Sequence, residues 1–279
     1  MRIDGKALAL KIKKELKEKI KKSGVIHELH VVLVGKNESS KRFVEVKKKF
    51  ANDIGVKMNV HSFEDDISAE EIKNKIAELN SDADCTGIVI QLPLPKHLPV
   101  ERILNSVSYE KDVDVLGKDG LARFAKDVNF PRVPAVIGAI QEIFTEYKIE
   151  KRNKKIVILG YGRLVGEPAA LWLKRENIPY EVVDEKTLHA DKITKEADII
   201  ISGTGVPHMI LPENIKAGVT IIDAGTSQKN AKLVGDAHPD CIAKAAFITP
   251  VPGGVGPITV AILFKNLISS HGDDLDFVK

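Results

Sequence analysis

Lys47 stands on the wrong face of its helix. Ser40 to Ile54 reads as helical, and with about 100° between successive residues Phe43, Val44, Val46, Phe50, Ala51 and Ile54 share one arc. That is the face a helix buries. Lys41, Arg42, Glu45, Lys48, Lys49 and Asn52 fall outside it, whereas Lys47 falls inside, near its middle and one turn beyond Phe43. Such a lysine has two readings. It snorkels, its stem covering apolar surface while the ammonium stays wet, or it reaches a cavity where partial desolvation makes the amine titrate more easily, as general acid/base chemistry requires. Lys48 and Lys49 read as an ordinary solvated face.

Other groups stand where ligands collect. Gln91 ends the apolar run GIVIQ, Gly87 to Gln91, which the prolines of QLPLP stop. Ligands of open α/β sheets gather beyond the carboxyl ends of strands, although a polar strand terminus is the plainer account. Asp112 and Asp114 in KDVDVLG follow a lysine, and a turn or cap explains such an acid pair.

The strand KKIVIL flows into Gly160-Tyr161-Gly162-Arg163-Leu164-Val165-Gly166 and a helix through Pro168 to Arg175. Strand, glycine turn and helix in that order let backbone amides approach a pyrophosphate at the helix N-terminus. The spacing is GxGxxxG rather than GxGxxG, so the glycines alone say little. Tyr180 to Val183 supplies a second feature, ending at Asp184 and Glu185, about where an acid bonds a cofactor ribose. Two later apolar strands, in ADIIISGTG and VTIIDAGT, end in glycines. Ile248 to Thr259 is too rich in proline and glycine for a helix or an interior strand; it reads as a rigid turn bringing backbone close to something, in part a crossover between domains.

The elements that position these groups follow an α/β rhythm. The strands are His30 to Val34, Val56 to Ser62 and Gly87 to Gln91, then those of the second half. The loop GKNESS offers Ser39 or Ser40 as N-cap of the Lys47 helix. SAEE opens a helix from Ser68 to Asn80 as a capping box, a further helix surrounds Val100 to Val107, and prolines 131 and 134 mark a linker before a helix from Ala135 to Tyr147. A last helix spans Val260 to about Ser269, and the tail after Ser270 reads as frayed.

With 279 residues the chain accommodates two domains, and a net charge of +3, spread through both halves, gives no reason to expect nucleic acid or a membrane surface. Cys85 and Cys241 lie far apart and form no CxxC pair, as for buried thiols in a reducing cytosol. The opening segment is an amphipathic, lysine-rich helix rather than a secretory signal, and the apolar run Ile258 to Phe264 is far short of a membrane span. The expectation is a cytoplasmic protein.

With those residues in place, the chain resembles along nearly its whole length the bifunctional methylenetetrahydrofolate dehydrogenase/cyclohydrolases, the FolD family. PVPGGVGPIT is nearly identical to that family's C-terminal signature, QLPLP and KDVD match its substrate motifs, and VGKNESSKRFVEVKKK is similar to VGxxxxSxxYVxxKxK. The resemblance implies an N-terminal three-layer α/β domain, 1–133 with 255–279 returning to it, and a Rossmann-like NAD(P)-binding domain, 134–254, with a cleft between them. It implies oxidation of 5,10-methylenetetrahydrofolate and hydrolysis of the methenyl product to 10-formyltetrahydrofolate, with a nicotinamide cofactor, no metal, and a homodimer formed through the cofactor domain. Carried over by position, Lys47 is the catalytic lysine, Gln91 its partner and Asp114 the acid that holds the pterin. Phe43, Leu92, Pro252 and Gly253 line the folate pocket; Gly160, Tyr161, Gly162, Arg163, Asp184, Glu185, Gly205 and Thr226 serve the cofactor.

Four departures stand out. The family tyrosine is Phe43 here, whose ring can still stack on the aminobenzoate but lacks the hydroxyl. The linker reads Pro131-Arg132-Val133-Pro134-Ala135-Val136 instead of Pro-Cys-Thr-Pro-x-Gly, and the resemblance gives Arg132 no role. Val115 replaces the glycine after KDVD, so that turn is expected to differ. Asp184 and Glu185 stand where a His-Ser or similar pair suits a 2′-phosphate. Two carboxylates favour NAD; family habit, and Arg163 able to swing into the usual arginine's place, favour NADP, which is the expectation. Two other readings compete: a monofunctional dehydrogenase, made conceivable by Phe43, and a non-catalytic folate or nucleotide sensor, opposed by the retention of Lys47.

Overall fold

Runs such as HVVLV and IVIL become parallel strands because, covered on both faces, they bury every side chain. The computed structural model describes residues 1–229 and 232–269. In chain order its elements are α1 (Gly5–Ser23), β1 (Glu28–Val34), α2 (Glu38–Ile54), β2 (Lys57–Phe63), α3 (Ala69–Ser81), β3 (Gly87–Ile90), α4 (Val100–Leu104), α5 (Lys118–Lys126) and α6 (Ala135–Glu146). There follow β4 (Ile156–Leu159), α7 (Gly166–Arg175), β5 (Tyr180–Val183), α8 (Ala190–Glu196), β6 (Ile199–Ser202), β7 (Thr220–Asp223), β8 (Ser227–Lys229), β9 (Lys232–Val234), β10 (Phe247–Ile248) and α9 (Val255–Ser269). Two compact units result: one holds Leu10–Ala135 and the chain from Val260 on, the other Met1–Ala9 and Val136–Thr259.

The first unit contains the parallel sheet β2-β1-β3. One face of that sheet, Val32, Val34, Ile88 and Ile90, packs with Ile72, Ile76 and Leu79 of α3 and with Ile103 and Leu104 of α4. The capping box of α3 forms as expected, Ser68 Oγ and the Glu71 side chain each meeting the other's backbone N–H. The cap of α2 differs: Asn37, not Ser39 or Ser40, accepts the Ser40 N–H at 3.0 Å, and Gly55 closes the helix at φ +85°. The buried face of α2 runs through Ser40, Val44, Lys47, Phe50, Ala51 and Ile54. Lys47 lies at its centre, and Val46, placed in the apolar arc by the sequence, is 52% exposed because it points about 100° away from its neighbour.

From Val260 on, α9 belongs to this unit. Phe264 stacks on Phe50 at 5.0 Å between ring centroids, and Asn266 Nδ2 donates to the carbonyls of Val113 and Val133, both at 2.8 Å. Arg132 acquires a role here: its guanidinium donates to the carbonyls of Tyr109 and Glu110, just before Asp112.

The second unit is built on the parallel sheet β10-β7-β6-β4-β5. The chain leaves β4 for β5 on one side and returns as β6 on the other, so the order reverses between β4 and β6, the switch point outside which ligands of such sheets bind. Trp172 of α7 is fully buried, edge-on to Phe144 of α6. The last helix begins at Val255, inside the proline-glycine stretch, rather than at Val260; Pro257 falls in the first turn, where a missing N–H costs nothing. α5, α8 and the antiparallel pair β8–β9 were not apparent in the sequence, and α4 stops at Leu104 rather than Val107. The tail after Ser270 lies outside the described residues. Among those described, no helix is long and apolar enough to cross a membrane.

Candidate active site

The first unit gathers its chemistry at the carboxyl ends of β1 and β3. Ile90 pairs with Val32, and the Gln91 N–H still donates to the Val32 carbonyl at 2.9 Å, so the Gln91 side chain is presented at the rim of the sheet. The centre of α2's buried face delivers Lys47, 8% exposed. Its Nζ donates to Gln91 Oε1 at 2.8 Å, and Gln91 Nε2 donates to the Leu92 carbonyl at 2.7 Å. An ammonium only donates, so this pattern fixes the amide's orientation. Burial holds the Lys47 amine below the usual lysine range, opposed by the charge of Asp114. Burial likewise pushes the Asp114 carboxyl up, opposed by Lys47.

The two acids of KDVD divide their work. Asp112 is the turn residue: Oδ1 accepts the Val115 N–H at 2.9 Å, and Oδ2 those of Leu116 and Gly117 at 3.0 and 2.7 Å. Burial raises its pKa to about 6 against those three donors. Val115 adopts φ +55°, the left-handed conformation that favours glycine, so a β-branched residue there stores strain in the turn. Asp114 is thus free of capping duty and electrostatically coupled to Lys47. Phe43 is half-buried one turn before Lys47. Ser40, considered in the sequence only as a cap, is 1% exposed on the same face with no hydrogen-bond partner for Oγ among the described residues. Its spacing of two turns from Lys47 was the available signal.

The second unit carries the nucleotide features. After β4, Gly160 takes φ +80° and Gly166 lets α7 begin directly on the turn; a Cβ at Gly166 would come within 2.0 Å of the Gly160 carbonyl oxygen. The loop after β6 closes against that turn, since a Cβ at Gly160 would meet Thr204 at 3.3 Å. Gly160, Gly162 and Gly205 therefore flank the switch point. Gly205 is joined by its carbonyl to Ser227 Oγ at 2.5 Å, and Thr226 is exposed beside it. Tyr161 is 53% exposed and Arg163 half-buried. Asp184 and Glu185 are exposed at the end of β5, where Asp184 Oδ1 accepts from Lys186 N–H and Thr187 Oγ, holding its carboxyl below the usual range. These residues fit a dinucleotide: the turn is stripped of side chains where a pyrophosphate approaches, and acids stand at the next strand's end. Pro252 and Gly253 also belong to this unit, Gly253 at φ +106°. Gly5 at the start of α1 packs so tightly on Gly254 that a Cβ would lie 1.8 Å from its oxygen.

A doubly wound sheet with a glycine turn at its switch point, together with a buried helix lysine, a buried strand-end amide and a half-buried carboxyl elsewhere in the chain, defines a dinucleotide-dependent α/β enzyme. The chain belongs to the tetrahydrofolate dehydrogenase/cyclohydrolase family, whose catalytic-domain profile matches residues 3–114 and whose NAD(P)-binding-domain profile matches residues 134–274. It is 37% identical over 274 residues to the bifunctional protein FolD of Aquifex aeolicus, covering 96% of this chain and 94% of that one. Among solved structures it is similar to the bifunctional FolD of Campylobacter jejuni (TM-score 0.92, 34% identity, 97% and 98% covered). The Trypanosoma brucei enzyme, complexed with NADP cofactor and inhibitor, superposes with a TM-score of 0.89 at 32% identity, covering 97% and 96%.

Proposed function

We propose that this protein oxidises 5,10-methylenetetrahydrofolate to the 5,10-methenyl cation and hydrolyses that cation to 10-formyltetrahydrofolate. The observation that carries the reading is the buried Lys47–Gln91 hydrogen bond coupled to Asp114. A nicotinamide cofactor supplies the hydride acceptor for the first step. Water forms a bond to the cationic carbon and the carbon's bond to the ring nitrogen breaks; both water protons leave the oxygen as it becomes the formyl carbonyl, one reaching that nitrogen and the other being released. An amine of lowered pKa gives up and takes back a proton more readily than a surface lysine does, and Gln91 holds that amine in place. The Asp114 carboxylate accepts the paired donors of an amino-pyrimidine edge, contacts that lower its pKa again when substrate binds. Phe43 and Leu92 line the folate site; the glycines at 160, 162 and 205, with Tyr161 and Thr226, serve the cofactor.

NADP is the proposed cofactor, with Arg163 meeting the 2′-phosphate. Asp184 and Glu185 are the features that favour NAD, and kcat/KM measured with each decides. The homodimer through the cofactor unit is a proposal that sedimentation at several protein concentrations tests. One assay examines the whole reading: the protein is incubated with methylenetetrahydrofolate and oxidised cofactor, and methenyl absorbance is followed as it appears and decays. Formation with accelerated decay is expected. Formation alone identifies a monofunctional dehydrogenase, the reading Phe43 favours, and no formation a non-catalytic binder.

A further inference from the structure

Two fully buried acids, Asp223 and Asp236, have no part in the scheme above. They are 2% and 0% exposed and stand at the two ends of the excursion that contains β8 and β9. Each carboxylate lies against a glycine beside the other acid: a Cβ at Gly225 would fall 2.1 Å from Asp236 Oδ1, and one at Gly235 would fall 2.1 Å from Asp223 Oδ2. The bonds cross in the same way. Asp223 accepts the N–H of Gly225 at 3.0 Å and of Ala237 at 2.8 Å, so the end of β7 grips the chain where it returns after β9. Asp236 Oδ2 accepts Ser202 Oγ at 2.6 Å and the Thr204 N–H at 2.8 Å, gripping the end of β6 and the loop after it.

Thr204 is the residue packed against Gly160 of the glycine turn. A chain of contacts therefore runs from Asp236 through Thr204 to that turn. We propose that Asp223 and Asp236 form a reciprocal carboxylate lock that sets the loops carrying Gly205 and Thr226 against the glycine turn, making both acids positioning residues for the nicotinamide cofactor. The proposal rests on the functional reading above. A buried acid suits the task because one carboxylate oxygen accepts from a side chain and a backbone amide at once, and glycine suits the facing positions because any side chain would displace the acid. Asp236 Oδ1 has no hydrogen-bond partner among the described residues and rests on Gly225, so the acid is held for the donors on its other oxygen.

The test uses the full-length protein and the variants Asp236→Ala, Asp236→Asn, Gly225→Ala and the double Asp236→Ala/Gly225→Ala. Three readouts are taken: dehydrogenase kinetics with whichever of NAD and NADP the wild type prefers, cyclohydrolase activity on methenyltetrahydrofolate without cofactor, and calorimetric Kd for that cofactor. Asp236→Ala, which removes the acceptor for Ser202 and Thr204, and Gly225→Ala, which displaces it, are each expected to raise cofactor KM and Kd about tenfold. Cyclohydrolase activity stays within about twofold. Asp236→Asn, which keeps an acceptor for Ser202 and Thr204, is expected within about threefold of wild type, and the double variant no worse than Asp236→Ala alone, because the clash needs both partners. Unchanged cofactor Kd in both single variants overturns the lock, as does an equal loss of both activities, which marks a merely structural role. A wild type that binds cofactor but turns over no folate refutes the functional reading instead, while the Kd comparison still tests the lock.

Discussion

Asp112 Oδ1 accepts the backbone N–H of Val115 at 2.9 Å while Val115, fully buried, holds φ at +55°. A β-branched residue in the left-handed region costs about 1–2 kcal/mol, and the three amide bonds to Asp112 keep it there. The turn is thereby held next to Asp114.

Glycine and alanine should therefore reverse their usual order at this position. Both substitutions remove the buried valine side chain, but only glycine removes the strain, by about 1 kcal/mol relative to alanine. Val115→Gly is expected to unfold at higher urea concentration than Val115→Ala; the opposite order shows that the turn is not strained.

Lys47→Met should separate the two activities. Losing the acid/base group is expected to lower cyclohydrolase kcat by about 10²-fold or more, whereas hydride transfer, which depends on positioning, falls less. Equal losses in both assays count against an acid/base role. Wild-type cyclohydrolase activity should rise with pH through an apparent pKa below that of an ordinary lysine, since burial favours the neutral amine.

Phe43→Tyr restores the hydroxyl found in the family's motif. It is expected to raise the cyclohydrolase rate more than the dehydrogenase rate; both rates unchanged removes that hydroxyl from the mechanism.

Burial raises the Asp223 carboxyl to about 6 from an ordinary 3.8. The folded state then binds its proton more tightly than the unfolded state, so the contribution is fully present below pH 4 and is lost as pH rises through 6. Between pH 5 and 7 the wild type should lose about 1 kcal/mol more unfolding free energy than Asp223→Asn does. Parallel pH profiles from urea titrations contradict the raised pKa.

Arg163→Ala tests cofactor choice. If the guanidinium meets a 2′-phosphate, kcat/KM with NADP should drop about tenfold or more while that with NAD stays within about twofold. Equal drops place Arg163 elsewhere.

Local pattern was enough to read much of this chain. The period of α2 put Lys47 inside an apolar arc, SAEE announced the α3 cap, and a strand, a glycine turn and a helix announced the dinucleotide unit, because each signal lies within a few residues along the chain. Partnerships were not local. That Gln91 Oε1 accepts the Lys47 hydrogen bond, that Arg132 ties down the carbonyls of Tyr109 and Glu110, and that Asp223 and Asp236 interlock were all decided in the tertiary structure. A carboxylate or an ammonium has the same letter whether it caps a turn, pairs with a charge or faces water. Its pKa and its bonds are set by groups tens of residues away that only folding brings within about 3 Å.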